Sequence, residues 1–414
     1  MLIKSSRVLY LLLIVFVASI FIPKYYWMKF EKNIRSQLVF FSPVKKDFLI
    51  RGDNTNVISY FDKAGNKYDR TEFEKLMPLL NYRQLTLDGK LPDSLNGVPL
   101  ILEKIRMNNL TLKIYPSEID YKPIQLFPMF ESKSGRVQLE MPNDYFGITK
   151  RLEFIDCATN AIDEKKTQLF TNNLASNNFS FPAKIIAGNP TSKKAFDQGY
   201  FVVDSKNNLF HIKMVKGKPF CVNAMVPENL DIVYMKIMEM PLREFYGLII
   251  TKRNEVFLIS YDHYKLIKLP LEGYNYKKNI LAFMGDLFYR TFSLIGTNSI
   301  HTIVTDRNYT IVNSYEAIWK DNDELTAGVV ASYIFPFTLR LGDDYSSLSN
   351  FYFKISLLHS FIGSIIFSVL TFFILRSRKI SLKKGWFDIL LVLITGIFGF
   401  IAVSLVKNVD KNLE

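Results

Sequence analysis

Two long apolar runs stand close together near the C-terminal end of the chain, at residues 355–375 and 386–406. Each run is 21 residues long, and a helix of that length reaches about 31 Å, the thickness of a bilayer's hydrocarbon core. The link between them, RSRKISLKK, holds five cations and no acidic residue. Short basic loops of this kind stay on the cytoplasmic side of a membrane. The pattern therefore predicts a transmembrane hairpin whose loop faces the cytoplasm.

A third apolar run lies at the N-terminus, where the basic start MLIKSSR precedes VLYLLLIVFVASIFI. A run this short suits either a cleaved signal peptide or an uncleaved signal anchor. We favour the anchor, with a span at about residues 8–23, because Lys24, Tyr25, Tyr26 and Trp27 follow at once and such residues collect at membrane interfaces. Three spans would place the N-terminus inside, and the large domain and the C-terminal tail outside.

Between residues 37 and 348 the pattern changes to short apolar or alternating runs broken by Asn, Gly, Asp and Pro, which indicates strands and turns. Four runs share one form, in which two apolar β-formers precede a polar turn and a return to apolar residues: FIDCATNAI, VVDSKNNLF, IITKRNEVF and IVTDRNYTI. Their third residues, Asp156, Asp204, Thr251 and Thr305, are spaced by 48, 47 and 54 residues. A relative begins at Tyr60, and a degenerate copy fits near Met107.

A period near 50 residues with hairpin content is typical of β-propeller blades, each a four-stranded antiparallel sheet. We therefore predict a mainly β, propeller-like extracytoplasmic domain of five or six blades at residues 37–348, together with three transmembrane α-helices. The anchor and juxtamembrane segment occupy residues 1–36, and the transmembrane hairpin and tail occupy 349–414. The alternative remains open that any β-rich chain of this length shows such hairpins by chance.

A helical insertion near residues 71–97 departs from this pattern. Thr71 and Glu74 have the spacing of a capping box, and Pro78 is expected to interrupt the helix that follows. The densest polar and aromatic cluster of the insertion is Tyr82, Arg83, Asp88 and Asp93. Binding residues are often found on such excursions from a rigid scaffold, so these four are candidate ligand or partner contacts. The alternative is that Tyr82 and Arg83 only pack and cap their own loop.

Small residues recur along the two C-terminal runs. They are Ser360, Ser364 and Ser368 in the first run, and Thr395 and Gly399 in the second. Small residues at this spacing let helices approach closely in lipid, which makes these five candidate helix–helix contacts. The stripes could pack within this chain or against the spans of another protein.

Composition and motifs argue mainly against certain functions, namely nucleic-acid binding, metal binding and catalysis. The net charge of +13 does not indicate nucleic acid, because much of it flanks the apolar runs and the rest forms no long run of one sign. Cys157 and Cys221 lie in the region placed outside, where a bridge is possible and is left open. The four histidines have no metal-ligand spacing, and the sequence contains no phosphate loop or nucleophile motif. We therefore predict no cofactor, no metal site and no enzymatic activity.

The segments LMPLLNYRQLTLDGKLPDSLNGV, IPKYYWMKFEKN, FFSPVKKDFLI and SYEAIW together resemble an uncharacterised family of bacterial membrane proteins of about 400 residues. In that family an N-terminal span and a C-terminal pair of spans bracket an extracytoplasmic β domain. Its members appear alongside ABC-transporter components. The resemblance implies a multi-pass protein of the bacterial inner membrane with a transport accessory role, and it transfers no functional residue.

We expect a non-enzymatic envelope interaction protein, an accessory subunit of a membrane transport assembly. Its partners would be the lipid bilayer and other membrane proteins such as ABC-transporter subunits. The alternative is an extracytoplasmic ligand-binding sensor, and a membrane-anchored hydrolase is a less favoured third option. A receptor is disfavoured because this topology leaves few residues in the cytoplasm to carry a signal.

Overall fold

The computed structural model describes residues 2–30, 37–54, 57–122, 124–227, 230–343, 346–356 and 359–406. Its helices are α1 (Leu2–Phe30), α2 (Arg70–Leu76), α3 (Tyr82–Leu87), α4 (Leu102–Asn108), α5 (Pro116–Asp120), α6 (Glu164–Ser176), α7 (Thr326–Ile334), α8 (His359–Ser377), α9 (Leu382–Thr395) and α10 (Ile397–Leu405). A 3₁₀ turn at Asn322–Glu324 precedes α7.

The strands form five larger antiparallel sheets, which we name A to E. Sheet A holds β1 (Leu38–Ser42), β2 (Asp47–Asn54), β3 (Val57–Asp62) and β4 (Lys67–Tyr68). A small hairpin, β5 (Ser94–Leu95) and β6 (Val98–Pro99), comes next, followed by β7 (Leu110–Ile114). Sheet B holds β8 (Phe127–Pro128), β9 (Asp144–Ile148) and β10 (Leu152–Asp156). Sheet C holds β11 (Ile185–Gly188), β12 (Tyr200–Val203), β13 (Leu209–Val215) and β14 (Lys218–Asn223).

Sheet D holds β15 (Ile232–Ile237), β16 (Phe245–Thr251), β17 (Val256–Ser260) and β18 (Leu266–Lys268). Sheet E runs in the order β22-β21-β20-β19-β7, where the four late strands are β19 (Ile280–Gly285), β20 (Arg290–Ile295), β21 (Ser299–Thr305) and β22 (Ile311–Ile318). A last hairpin, β23 (Phe337–Asp343) and β24 (Ser346–Ile355), leads into α8.

The hydrophobic core lies between successive sheets, because each sheet presents alternate apolar side chains to its neighbours. Separate clusters of buried residues join B to C, C to D, D to E, and E to A. In sheet C, for example, Phe210 packs toward B while Phe201 packs toward D. Among the described residues no such cluster joins A to B, so closure into a propeller and the number of blades stay predictions. The confirmed statement is a mostly β domain of several antiparallel sheets.

The repeated sequence runs form tight turns for a common reason. The buried Asp204 carboxylate accepts backbone N–H bonds from Lys206 and Asn208, both at 2.8 Å, which closes the β12–β13 turn. Asp62 closes the β3–β4 turn in the same way, through bonds from Ala64 and Asn66. An acceptor at the end of one strand fixes the turn because it satisfies backbone donors that cannot join the ladder.

These turns do not occupy equivalent places in their sheets. The predicted repeat of about 50 residues therefore does not mark the same position in each sheet. The turns at Asp204 and Thr251 join the second and third strands of sheets C and D, whereas the turn at Thr305 joins the last two strands of sheet E. The degenerate copy near Met107 forms no sheet of its own. Its strand β7 pairs with β19 instead, with Leu112 opposite Phe283, because β7 supplies apolar side chains to the core between D and E.

The insertion begins with a capping box two residues earlier than expected. Asp69, not Thr71, is the N-cap, and its carboxylate accepts the Glu72 N–H while Glu72 bonds back to the Asp69 N–H. The predicted pairing was wrong because Asp at this position caps as well as Thr and β4 ends directly before it. Helix α2 ends at Leu76, two residues before Pro78, as a proline requires.

Among the residues that the structure describes, two helices are long and apolar enough to cross a membrane, within α1 (Ser6–Phe30) and at α8 (His359–Ser377). The prediction of a third span at 386–406 was wrong, because that run is divided into α9 and α10 at Gly396. The glycine has φ +55°, whereas a right-handed helix needs a φ of about −63° at every residue, so the helix cannot continue through Gly396. Glycine adopts this positive φ readily because it has no Cβ. This run of apolar residues is therefore long enough to span a membrane, but its backbone turns at Gly396.

The apolar helices α1, α8, α9 and α10 form one packed bundle with α7 and the base of the β23–β24 hairpin. Leu11 and Val15 of α1 share a buried cluster with Phe335, Val392 and Phe398. Near one end of α1, Arg7 contacts α9. Near the other end, the Tyr26 hydroxyl donates to the carbonyl of Ala327 at 2.8 Å, in α7. Helix α1 thus runs the full depth of the bundle.

Candidate functional site

A cleft of about 610 Å³ lies between α3 of the helical insertion and α4, which follows the insertion in the chain. It is lined by Tyr82, Arg83, Thr86, Leu102, Glu103 and Arg106. Its floor is fixed because Leu79, Tyr82, Leu100 and Ile105 form a buried cluster against the β19–β20 turn. Phe73 of α2 packs on Phe40 and Tyr60 of sheet A. The insertion is therefore mounted on sheets A and E and is not a loose loop.

The structure brings together two of the four residues predicted for this site. The Arg83 Nε donates to the Tyr82 hydroxyl at 3.1 Å, and the guanidinium lies 5.7 Å from the centre of the same ring. The local packing expected as the alternative is thus present, yet both side chains also line the cleft. Asp88 accepts a bond from Gln84 at 2.8 Å and Asp93 is exposed, and neither lines the cleft.

Sequence reasoning missed Glu103 and Arg106, which face Arg83 across the cleft from α4. Their charged side chains on a short amphipathic helix gave no signal beyond that of a solvated face. Five large apolar side chains between residues 80 and 102 are also exposed, of which Leu87 is the most open at 82%. The others are Leu80, Val98, Ile101 and Leu102. We call the cleft and these five residues the insertion surface.

The small-residue stripes pack inside this chain. Ser360, Ser364 and Ser368 are all buried, and the Ser368 hydroxyl donates to the carbonyl of Ser364 at 2.8 Å. A Cβ placed on Gly396 would lie 3.2 Å from the Ser364 Oγ, so the stripe faces the α9–α10 turn. Thr395 is likewise buried and bonds to the Leu391 carbonyl.

Gly399 belongs to the same internal contact, since a Cβ there would meet Thr395 and the Val392 backbone. All five small residues therefore pack within this chain, as in the first of the two arrangements considered from the sequence. The opposite face of α8 is apolar and exposed, with Phe361, Ile365 and Phe373 among its residues.

A second polar and aromatic cluster, which the sequence did not indicate, lies at the junction of sheets C and D. His211 is fully buried and stacks on Phe201 with 4.4 Å between ring centres. Its Nε2 lies 2.5 Å from the Gln198 carbonyl, which only accepts, so Nε2 carries the hydrogen and Nδ1 accepts from the Tyr264 hydroxyl at 2.9 Å. Burial lowers the pKa of His211 to about 4, which keeps the ring neutral at pH 7.

Tyr264 also lines an open cleft of about 490 Å³ that includes Arg253, Phe257 and Lys265. The cleft thus combines aromatic rings with two cations and one carboxylate, that of Glu255, which pairs with Lys268 at 2.6 Å. No three His, Cys, Asp or Glu side chains of the described residues form a group that could hold a metal ion. Cys157 is exposed and Cys221 is buried, and both are free thiols. Burial raises the pKa of the Cys221 thiol to about 12, so it stays protonated.

Together these features define a mostly β protein that carries apolar helices long enough to cross a membrane. The chain belongs to the family described as a domain of unknown function, DUF4857, which matches residues 38–305. This confirms an uncharacterised family preceded by an N-terminal apolar helix. No curated protein matches the chain significantly.

One solved structure to which the chain is similar is that of "Dihydro-heme d1 dehydrogenase NirN in complex with DHE". The identity is 11%, the TM-score is 0.21, and the match covers 61% of this chain and 65% of that one. The prediction that the protein is not an enzyme is corrected by this finding, since that protein is a dehydrogenase. A similarity at this TM-score carries no argument about the reaction, so we assign this chain neither an activity nor the lack of one.

Proposed function

We propose that the protein is a membrane-anchored envelope protein that contacts another subunit of a membrane transport assembly through its insertion surface. The observation that supports this is a cleft that presents Tyr82, Arg83 and Arg106, whose two helices also carry the exposed apolar side chains of Leu87 and Leu102. Contiguous exposed apolar area marks interaction sites, and Tyr and Arg are the residues that most often dominate binding energy at interfaces.

The mounting of the insertion favours binding without large rearrangement. Tyr82 is 8% exposed and forms part of a buried cluster, so its ring is already held in place before a partner arrives. Preorganised side chains lose less conformational entropy on binding than mobile ones. A partner that offers apolar side chains and a carboxylate to Arg83 and Arg106 would suit this surface.

The proposed location is the bacterial inner membrane, with α1 and α8 as spans and the β domain on the outer side. The basic loop at 376–384 supports a cytoplasmic position for the end of α8. Arg7 contacts α9 just after this loop, so the start of α1 lies on the same side. Tyr26, at the other end of α1, lies beside α7 and the base of the β domain.

Site-specific photocrosslinking in native membranes tests the proposed contact. A crosslinking residue at Thr86, inside the cleft, is expected to capture a membrane protein, whereas one at the exposed Gln168 on α6 is expected to capture none of it. Combined Arg83→Glu and Arg106→Glu changes should reduce the Thr86 adduct at least tenfold, and a Lys165→Glu control should not. Equal adducts at Thr86 and Gln168, or none at Thr86, would overturn the proposal.

A second candidate function, a ligand-binding sensor, is favoured by the cleft beside Tyr264. Arg253 and Lys265 can attract an anion, while Phe257 and Tyr264 can contact an aromatic ring. Benzoate carries both groups and serves as a probe. If this cleft binds such ligands, millimolar benzoate raises the unfolding temperature of the full chain, and an Arg253→Ala, Lys265→Ala variant loses that shift. No shift in the unaltered protein would remove this candidate.

A further inference from the structure

The C-terminal apolar run reverses direction at Gly396. A Cβ placed on Gly399 would lie 3.0 Å from the Val392 Cα and 3.1 Å from the Leu391 carbonyl oxygen. In a continuous helix, residues seven apart are separated by about 10 Å along the axis. Contact this close requires that α10 fold back along α9.

The far end of α10 meets the polar residues that surround the basic loop. The Arg7 guanidinium pairs with the Asp388 carboxylate through two 2.9 Å bonds, and its Nη2 also lies 3.4 Å from the Val406 carbonyl. Arg378, in the loop, donates to the carbonyls of Val403 and Ser404 at 3.3 and 3.2 Å. These carbonyls belong to the last turn of α10, where a helix has no internal donors left and favours cations.

The lengths agree with a hairpin that does not cross. Helix α9 has 14 residues and α10 has nine, which correspond to about 21 and 14 Å, each short of the roughly 30 Å of a hydrocarbon core. Non-helical backbone at membrane depth is tolerated where protein buries it. Here the turn is covered by Pro336, whose Cδ lies 3.0 Å from a Cβ placed on Gly396, and by Ser364.

We infer that residues 382–406 form a re-entrant helical hairpin, which enters and leaves the membrane on the side of the basic loop. The chain then leaves the membrane at Val406 on the same side as Arg7, opposite to the side expected from three spans. This inference rests on the proposed function only for the question of which side of the membrane is cytoplasmic. The hairpin itself follows from the Gly396 turn and the arginine contacts.

The hairpin also links the two sides of the bundle. Phe398, directly after the turn, stacks on Phe335 with 5.9 Å between ring centres and packs edge-on against Phe337 at 5.3 Å. Phe335 and Phe337 flank the junction between α7 and β23, at the base of the β domain. The Arg7–Asp388 pair and the base of the β domain are therefore connected through one small helical unit.

Single-cysteine labelling of the full chain tests the inference. In a variant with Cys157→Ser and Cys221→Ala, one cysteine is introduced at Lys206 in the β domain, at Ser381 in the basic loop, or at Asn412 in the tail. An impermeant maleimide applied to intact spheroplasts is expected to label position 206 alone. Positions 381 and 412 should react only after permeabilisation.

Two other labelling patterns would distinguish an error in the hairpin from an error in its orientation across the membrane. Labelling of 412 together with 206, while 381 is protected, would overturn the hairpin and restore three spans. Labelling of 381 and 412 with 206 protected would retain the hairpin and overturn the sidedness of the proposed function. A charge exchange tests the Arg7–Asp388 ion pair. Asp388→Arg should lower the unfolding temperature in detergent, and Arg7→Asp in the same chain should recover most of the lost stability. Failure of that recovery would remove the ion pair from the inference.

Discussion

A buried charge cluster between sheets B, C and D allows a strong test of the packing. The Lys194 ammonium donates to Asp197 at 2.5 Å, to Glu239 at 2.7 Å and to the Asn189 carbonyl at 2.8 Å. It also lies 4.8 Å from the centre of the Phe130 ring. The side chains of Lys194, Asp197 and Glu239 are 3%, 0% and 1% exposed.

A Lys194→Met change keeps the length of the side chain and removes the charge, which leaves two carboxylates buried without their shared cation. Removal of one partner from a buried ion pair costs about 3–5 kcal/mol, and two stranded acids place the expected loss at the upper end. The unfolding temperature should fall by on the order of 10 °C, since each kcal/mol shifts it by about 2–4 °C in a domain of this size.

Intrinsic fluorescence of the full chain in detergent during heating measures this change. Lys268→Met is the matched control, because Lys268 pairs with Glu255 at 2.6 Å but is 62% exposed. Its loss should cost less than about 1 kcal/mol. If Lys194→Met and Lys268→Met unfolded at the same temperature, the cluster would not be buried as described and the argument would fail.

Three further predictions concern other parts of the chain. Because the folded pKa of His211, about 4, lies below its unfolded value, stability should fall as pH drops from about 7 toward 4, by up to about 3 kcal/mol, and His211→Gln should lose that part of the slope in denaturant titrations at several pH values. Asp204→Ala should cost roughly 2–4 kcal/mol of unfolding free energy, because four donors lose a buried acceptor, and Asp156→Ala, in an exposed turn, should cost less. Gly363→Ala should lower the unfolding temperature in detergent, because its Cβ would stand 2.0 Å from a backbone carbonyl of α7, at a cost of about 1–3 kcal/mol, whereas the exposed Ile362→Ala should have little effect. Equal effects within either of the last two pairs, or an unchanged pH slope, would contradict the reasoning.

The candidate site was only partly accessible to sequence reasoning. Tyr82 and Arg83 were found because a polar and aromatic cluster in a helical insertion stands out locally. Glu103 and Arg106 were missed because they reach the same cleft from α4, after an intervening hairpin that brings the two helices together. The His211–Tyr264 contact was missed for a similar reason, since it joins residues 53 positions apart across two sheets.

The sequence by itself determined the properties that depend on neighbouring residues. The apolar runs at α1 and α8 predicted membrane helices, because hydrophobic length alone sets whether a helix can span. Apolar runs broken by polar turns predicted an antiparallel β domain, because an Asp such as Asp204 organises its turn through donors within four residues. Only the tertiary structure decided that β7 joins a sheet formed by strands far later in the chain, and that Gly396 reverses the last apolar run. Hydropathy records how much apolar surface a segment must bury, but not which surface of the protein buries it.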